Sequence, residues 1–308
     1  MDACWWREPA TDLRGFEHCG SLFVNILYYW RPDNYLRDRR FGFGYHLNQN
    51  SPDLARVAEG DTVWAFTRDR LGRYVLAAAL VVRAATRNPP NYRYGRFRVW
   101  GDLERTRYFD IDAGAGAEQL IRHLRITAQA RVLAQSFQGS RAVRPLEFAD
   151  HQLLASFAVD LPVLARVGIY PEDEFEARLL LGTGARELLL PHGNEENAVR
   201  RRYLFETVDV TRARRHVEWL QKTYRGYCQI CLFDPRARYG RRLCHGHHVQ
   251  WLSRGGEDEL ENMVLICPNH HAAVHQADAV FDYGDLSFRF SNGLVETIQL
   301  NRHLRLAA

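Results

Sequence analysis

The chain contains 308 residues and carries a formal net charge of +4, with 46% hydrophobic and 25% charged residues. These proportions are typical of soluble globular proteins, and they exclude a disordered chain or a collagen-like repeat. No apolar run approaches the roughly 18 residues that a membrane helix needs, and the first residues show no signal-peptide pattern. We therefore expect a cytoplasmic protein of about two domains, with no membrane partner.

The first 110 residues predict a β-rich region. Four runs of β-branched or aromatic residues are separated by segments rich in Gly, Asn, Pro and Asp. These runs cover 21–30, 61–68, 74–83 and 94–100. Apolar residues at helical spacing then predict helices over 117–138 and 211–223. The sequence thus indicates an α+β protein.

Three units follow from this pattern. We expect an N-terminal domain at 1–150, a connector of mixed and helical structure at 151–210, and a C-terminal domain at 211–308. No low-complexity linker separates them, so the boundaries are compact junctions.

Positive charge is concentrated in one segment. Lys222 is the only lysine, so forty of the 41 basic residues are arginine. Between Arg212 and Arg242 there are nine basic and two acidic residues, a local excess of seven. Guanidinium groups suit bidentate contacts to phosphate, although an ordinary solvated surface and a GC-rich coding sequence also explain an arginine excess.

Two short motifs near the C-terminus combine cysteine and histidine. Cys228 and Cys231 are separated by two residues, as are Cys267 and His270. A pair of such motifs supplies the four ligands of a tetrahedral structural zinc ion. We therefore predict structural Zn²⁺ at these four residues.

A second histidine cluster is interleaved with the first. His271 and His275 are four residues apart, so on a helix their rings project from one face. His247 and His248 are adjacent, and on a strand their side chains point to opposite faces. One of the two can then hold a metal ion while the other moves a proton.

This set of residues resembles the HNH (ββα-metal) endonuclease family. The resemblance covers about residues 225 to 285, and includes Gly255-Gly256 and Asn262. It implies that His247, His271 and His275 bind a catalytic divalent metal such as Mg²⁺ or Mn²⁺. It also implies that His248 is the general base, with Asn262 bracing the loop that orients it. Basic residues near such a site become DNA-backbone candidates: Arg212, Arg215, Arg238, Arg241 and Arg254.

The N-terminal strands resemble a PUA-superfamily, EVE-like β-barrel. This resemblance rests on Tyr29-Trp30, on the turn and strand from Gly60 to Trp64, and on the alternating strand from Leu76 to Val82. It implies a reader that holds a modified base between aromatic rings. The candidate walls of the pocket are Tyr29, Trp30, Phe43, Tyr45 and Trp64, although aromatic residues at strand spacing are also common in cores.

The combination resembles modification-dependent restriction endonucleases. It implies that the chain recognises double-stranded DNA with modified cytosine and hydrolyses it, with a homodimer or successive nicking cutting both strands. Three alternatives remain open. They are a nuclease that reads a sulfur-modified backbone or RNA, a zinc-dependent DNA-binding module that does not cleave, and a structural protein in which both clusters bind zinc.

Overall fold

A computed structural model describes residues 24–40, 43–165, 210–254 and 256–307. The expected connector at 151–210 and the first 23 residues therefore lie largely outside the described residues. The fold is α+β, as predicted from the sequence.

The N-terminal part is built on a mixed seven-stranded sheet. Its strands are β1 (Ile26–Tyr29), β2 (His46–Gln49), β3 (Thr62–Arg68), β4 (Tyr74–Arg87), β5 (Phe97–Gly101), β6 (Arg107–Tyr108) and β7 (Val143–Pro145). The order is β2-β5-β4-β3-β1-β7, with β6 also paired to β4. Strands β1 and β3 are parallel, and the other pairs are antiparallel.

The sheet is curled but open. The long strand β4 pairs with β3 along its first half and with β5 along its second, and its register shifts between Val82 and Ala84. Such an irregularity bends a strand and increases its twist. Among the described residues β2 and β7 each have one strand neighbour, so they do not close a ring. The expected barrel is therefore a half-barrel in this part of the chain.

Helices cover both faces of this sheet. Alternate strand residues point to opposite faces, and they pack in two apolar clusters. Tyr35 of α1 (Pro32–Arg40) joins the cluster that contains Tyr28 and Val63. The opposite cluster includes residues of α2 (Glu118–His123) and α3 (Phe148–Phe157).

The predicted helix over 117–138 is wrong beyond its first turns. Helix α2 ends because Leu124 has an extended backbone, with ψ of 140°. The hydroxyl of Thr127 donates to the carbonyl of Leu124 at 3.1 Å and also to that of Ile121. Such local bonds compete with helix continuation. The apolar residues beyond Leu124 are buried although they are not helical, because Leu133 and Phe137 pack in the core.

The C-terminal part has its own core around a strand–strand–helix unit. Its elements are α4 (Val210–Thr223), α5 (Pro235–Tyr239), β8 (His245–His248), β9 (Met263–Ile266), α6 (Pro268–Gln276), β10 (Val280–Asp282), β11 (Ser287–Arg289) and β12 (Val295–Thr297). Helix α4 packs on the β8–β9 hairpin, and the helix predicted over 211–223 is confirmed. Strands β10 to β12 form a separate antiparallel sheet.

The two parts touch along β4 and β10. The backbone N–H of Arg87 donates to Asp282 Oδ1 at 3.0 Å, and that of Tyr283 donates to the carbonyl of Arg87 at 3.2 Å. Arg83 on β4 pairs with Asp278 at 2.9 Å. The C-terminal part is thus attached to the N-terminal sheet through Asp278, Asp282 and Tyr283. In the part of the chain that the structure describes, no helix has the length and apolar character to cross a membrane.

Candidate metal centres

The four predicted zinc ligands meet at one point. Cys228 and Cys231 lie in the turn before α5, while Cys267 immediately precedes α6 and His270 lies in its first turn. Their ligand atoms all lie within 4.8 Å of one another. His270 Nδ1 is 3.2 Å from Cys267 Sγ and 3.5 Å from Cys228 Sγ. Sulfur and imidazole groups at this spacing fit a tetrahedral zinc site.

The surroundings of this cluster bear on how it would bind a cation. Burial raises the pKa of Cys228 to about 12, so its thiol is protonated near neutral pH unless a cation displaces the proton. The second ring nitrogen of His270 lies 3.3 Å from Glu296 Oε1 on β12. A carboxylate in that position fixes the ring orientation and makes the other nitrogen a better ligand.

The second cluster combines a strand and a helix. His247 comes from β8, and His271 and His275 come from one face of α6. Their ligand atoms also lie within 4.8 Å of one another, and the ring of His247 lies 4.8 Å from that of His275. Three imidazoles leave coordination positions for water or substrate, which distinguishes this site from the closed cysteine-rich one.

His248 is buried beside the second cluster, next to His247 in β8. Its Nε2 lies 3.1 Å from Asp258 Oδ1, and both side chains are 5% exposed. The strand therefore presents one histidine to the metal cluster and the next to a buried carboxylate.

Asn262 fastens the connection between β8 and β9. Its Oδ1 accepts from the N–H of Gln250 at 2.9 Å, and its Nδ2 donates to the carbonyls of Gln250 and Glu257 at 2.9 and 2.8 Å. Gly256 lies inside the same fold of the chain, where a Cβ would sit 2.1 Å from the carbonyl oxygen of Gln250. The connection is therefore tight enough to require glycine at this position.

The basic candidates separate into two groups. Arg215, Arg238 and Arg241 are exposed on or beside α4 and α5, and Arg212 lies in α4. Arg254 differs from expectation, because its side chain is 6% exposed and pairs with Asp278 at 2.8 Å. It is engaged inside the protein, so it is not positioned as a surface contact for phosphate.

The five aromatic candidates do not line one pocket. Trp30, Phe43 and Tyr45 pack with the apolar cluster on one face of the sheet, whereas Tyr29 and Trp64 pack on the opposite face. The two faces divide Tyr29 from Trp30 because adjacent residues along a strand point to opposite faces of the sheet. Four of the residues that line a small cleft carry rings, namely Tyr28, Trp30, His46 and Tyr108.

Sequence reasoning missed two acidic partners. Asp258 contacts a histidine ten positions earlier, and Glu296 contacts one 26 positions earlier. In neither pair do the two residues share a helix or a strand, so only the folded loop and the additional sheet bring them together. Three acidic residues following Gly255-Gly256 were the one available signal for a carboxylate near His248.

Comparison with known proteins supports the identity of the C-terminal unit. Residues 228–277 match the family model of HNH endonucleases. No curated protein is detectably similar in sequence to the chain.

Two solved structures are weakly similar. A modification-dependent TagI restriction endonuclease is 13% identical with a TM-score of 0.25, and the match covers 84% of this chain and 65% of that one. The type IV phosphorothioation-dependent restriction endonuclease ScoMcrA is 13% identical with a TM-score of 0.19, and the match covers 83% and 53%. TM-scores this low do not establish a shared fold. The strand–strand–helix geometry and the family match together identify residues 228–277 as an HNH endonuclease domain.

Proposed function

We propose that this protein is a metal-dependent DNA endonuclease that hydrolyses phosphodiester bonds. One observation carries the proposal: buried His248 adjoins the cluster of His247, His271 and His275 in the strand–strand–helix unit. A purely structural site with three histidine ligands has no use for a fourth, buried imidazole held by a carboxylate. A nuclease uses such a group as a general base.

The roles divide between the two faces of β8. His247, His271 and His275 would hold the divalent metal, which stabilises negative charge on the scissile phosphate as a Lewis acid. His248 takes a proton from the attacking water. Asn262 keeps the connection folded so that His248 is held in place. The zinc cluster of Cys228, Cys231, Cys267 and His270 fixes the start of α6 and contributes to folding.

The exposed arginines supply the DNA contact. Arg215, Arg238 and Arg241 lie on one continuous segment with the zinc knuckle, and Arg212 belongs to the same helix as Arg215. Neutralising phosphate charges with such groups makes binding strongly salt-dependent. Replacing Arg238 with alanine should weaken binding to all DNA sequences and reduce the salt slope by about one.

We further propose that the N-terminal sheet, as a PUA/EVE-like module, recognises a modified cytosine. The proposal rests on the resemblance of the N-terminal strands to that module and on the small cleft lined by Trp30 and Tyr108, which would have to widen to admit a base. Of the five aromatic candidates, Trp30, Phe43 and Tyr45 lie on this face of the sheet. A homodimer would bring two nuclease sites to the two strands.

The test compares substrates that differ only in modification. Phage DNA with and without modified cytosine is incubated with the zinc-loaded protein and Mg²⁺ or Mn²⁺, with a phosphorothioate-containing DNA and an RNA as further arms. We expect the wild type to cut the DNA with modified cytosine preferentially, and Trp30→Ala to lose this preference. Equal cutting of all DNA would overturn the reader proposal, and cutting of the phosphorothioate DNA or the RNA alone would favour those alternatives.

A further inference from the structure

Asp258 contacts the residue on which the proposed chemistry depends. Its carboxylate lies 3.1 Å from His248 Nε2, and both side chains are 5% exposed. Two polar groups withdrawn from water to this extent interact strongly, because little solvent competes with their hydrogen bond. The contact is therefore part of the buried structure of the site and not a chance contact at the surface.

The loop is constructed so that Asp258 reaches His248. Asn262 Nδ2 donates to the carbonyl of Glu257, the residue that precedes Asp258. The N–H of Glu259, which follows it, also donates to that carbonyl at 3.0 Å. Gly256 permits the close approach to Gln250. The backbone on both sides of Asp258 is thus fixed by bonds within the loop.

We propose that Asp258 is the positioning residue of the general base. It accepts a hydrogen bond from the Nε2–H of His248 and so assigns Nδ1 as the atom that takes the proton. This inference rests on the proposed nuclease function. It goes further by naming the residue that selects the tautomer and by giving Asn262 an indirect role, which is to place Asp258.

Nδ1 of neutral His248 accepts one proton from water, while the water oxygen forms a bond to phosphorus and the bond to the leaving oxygen breaks. The imidazolium keeps its Nε2–H toward Asp258, whose negative charge stabilises the new positive charge. The leaving oxygen takes a proton from a solvent water, and the hydroxide so formed is neutralised by the proton that Nδ1 of the imidazolium releases, which returns His248 to its neutral form.

The kinetic test uses a graded pair of variants and a matched control. Asp258→Ala should lower kcat by roughly 10- to 100-fold, the effect typical of groups that orient a reactive residue, with KM for DNA unchanged. Asp258→Asn should retain more activity, because the amide oxygen still accepts from Nε2–H. Glu259→Gln removes one negative charge from the same loop at an exposed position and should keep the wild-type kcat.

A spectroscopic test does not depend on cleavage. Nitrogen-15 histidine NMR at about pH 8, above the ordinary histidine pKa, reports which ring nitrogen carries the proton, and His248→Ala identifies the signal. We expect the Nε2–H tautomer in the wild type and loss of that preference in Asp258→Ala. Zinc content and the midpoint of thermal unfolding show whether each variant is folded. If Asp258→Ala does not fold, the tautomer seen in the wild-type spectrum still tests the inference.

Two results would overturn the inference: the Nδ1–H tautomer in the wild type, or an unchanged kcat in folded Asp258→Ala. Failure of the proposed function is a different outcome. It would appear as no cleavage by the wild type with metal present, and the tautomer measurement would still decide the role of Asp258.

Discussion

At the residue scale, four cysteine and histidine side chains lie close enough together to hold a metal ion. Cys228 and Cys267 are buried and contribute to the zinc cluster. Cys244 is equally buried, and burial also raises its pKa to about 12, but it does not belong to the cluster. Cys228 and Cys267 therefore belong to the candidate metal site, whereas Cys244 only packs in the apolar core.

Replacing Cys228 with serine should abolish the bound zinc and unfold the C-terminal unit, because zinc binding at such sites supplies folding free energy of the order of 10 kcal/mol. The matched variant Cys244→Ser should retain about one zinc per chain. Metal analysis and thermal unfolding measure both effects. Full zinc content in Cys228→Ser would contradict the ligand assignment.

His151 gives the N-terminal sheet a pH-dependent stability. Burial lowers its pKa, and Trp64 Nε1 lies 3.1 Å from its Nδ1, which accepts that hydrogen bond when the ring is neutral. Because the folded pKa is below the unfolded value, the unfolded state binds more protons. Stability is then complete above the unfolded pKa of about 6.5 and falls as the pH decreases below it.

We expect the free energy of unfolding to decrease between about pH 7.5 and pH 5.5, and to decrease less in His151→Gln. Denaturant unfolding at the two pH values measures the difference, and subtraction of the variant removes the contribution of zinc loss in acid. An NMR titration that gave His151 a pKa above its unfolded value would contradict this explanation.

At the element scale, the packing of α4 on the β8–β9 hairpin depends on a glycine. A Cβ on Gly246 would lie 2.6 Å from Val217 Cγ2 and 3.2 Å from Met263 Cε. Val217 is β-branched and has little rotamer freedom in a helix, so it cannot move aside easily. The absence of a side chain at Gly246 lets the helix approach the strand that carries His247.

The variant Gly246→Ala should therefore destabilise the C-terminal unit by about 1–3 kcal/mol, the usual cost of an overpacked contact. Gly116→Ala is the matched control, because a Cβ there meets no atom within 4 Å. Chemical denaturation of the two variants should separate them clearly. Equal stability would mean that α4 and the hairpin are less closely packed than the structure indicates.

Local patterns predicted the elements of the candidate metal site better than the surrounding ones. The strand that carries His247 and His248 and the helix that carries His271 and His275 were expected from their spacing, and the second strand from the resemblance to the ββα-metal family. The helix over 117–138 failed because Thr127 intercepts the carbonyls at its end. The five aromatic pocket candidates lie on both faces of the sheet. A sequence pattern predicts the strands, but it does not predict which face of a curled sheet stays accessible.

At the scale of the whole molecule, an ion-pair network around Asp278 joins the two parts. Asp278 pairs with Arg83 of the N-terminal sheet at 2.9 Å and with Arg254 at 2.8 Å. The guanidinium of Arg254 lies 4.2 Å from the ring of Trp251, which lies 5.4 Å from the ring of His275. The sheet is thus connected to a candidate metal ligand by consecutive contacts.

Removing the shared carboxylate should destabilise the protein, because Asp278→Ala leaves two largely buried guanidinium groups unbalanced. We expect the free energy of unfolding to fall by about 2–3 kcal/mol. This loss is smaller than for a fully buried pair because the side chain of Asp278 is 27% exposed. Glu118→Ala breaks a pair in which both side chains are exposed and should cost below about 1 kcal/mol. Thermal and chemical unfolding compare the two, and equal losses would show that the junction contributes little.

The central claim is that this chain cleaves DNA with His248 as the base beside a metal held by three histidines. The most direct measurement is scission of supercoiled plasmid carrying modified cytosine by zinc-loaded protein, with and without added Mg²⁺ or Mn²⁺, for the wild type and His248→Ala. We predict metal-dependent nicking or linearisation by the wild type and a loss of roughly 100-fold or more in the variant, with DNA binding and zinc content retained. Equal cleavage by the two proteins, or none by folded wild type with metal present, would contradict the claim.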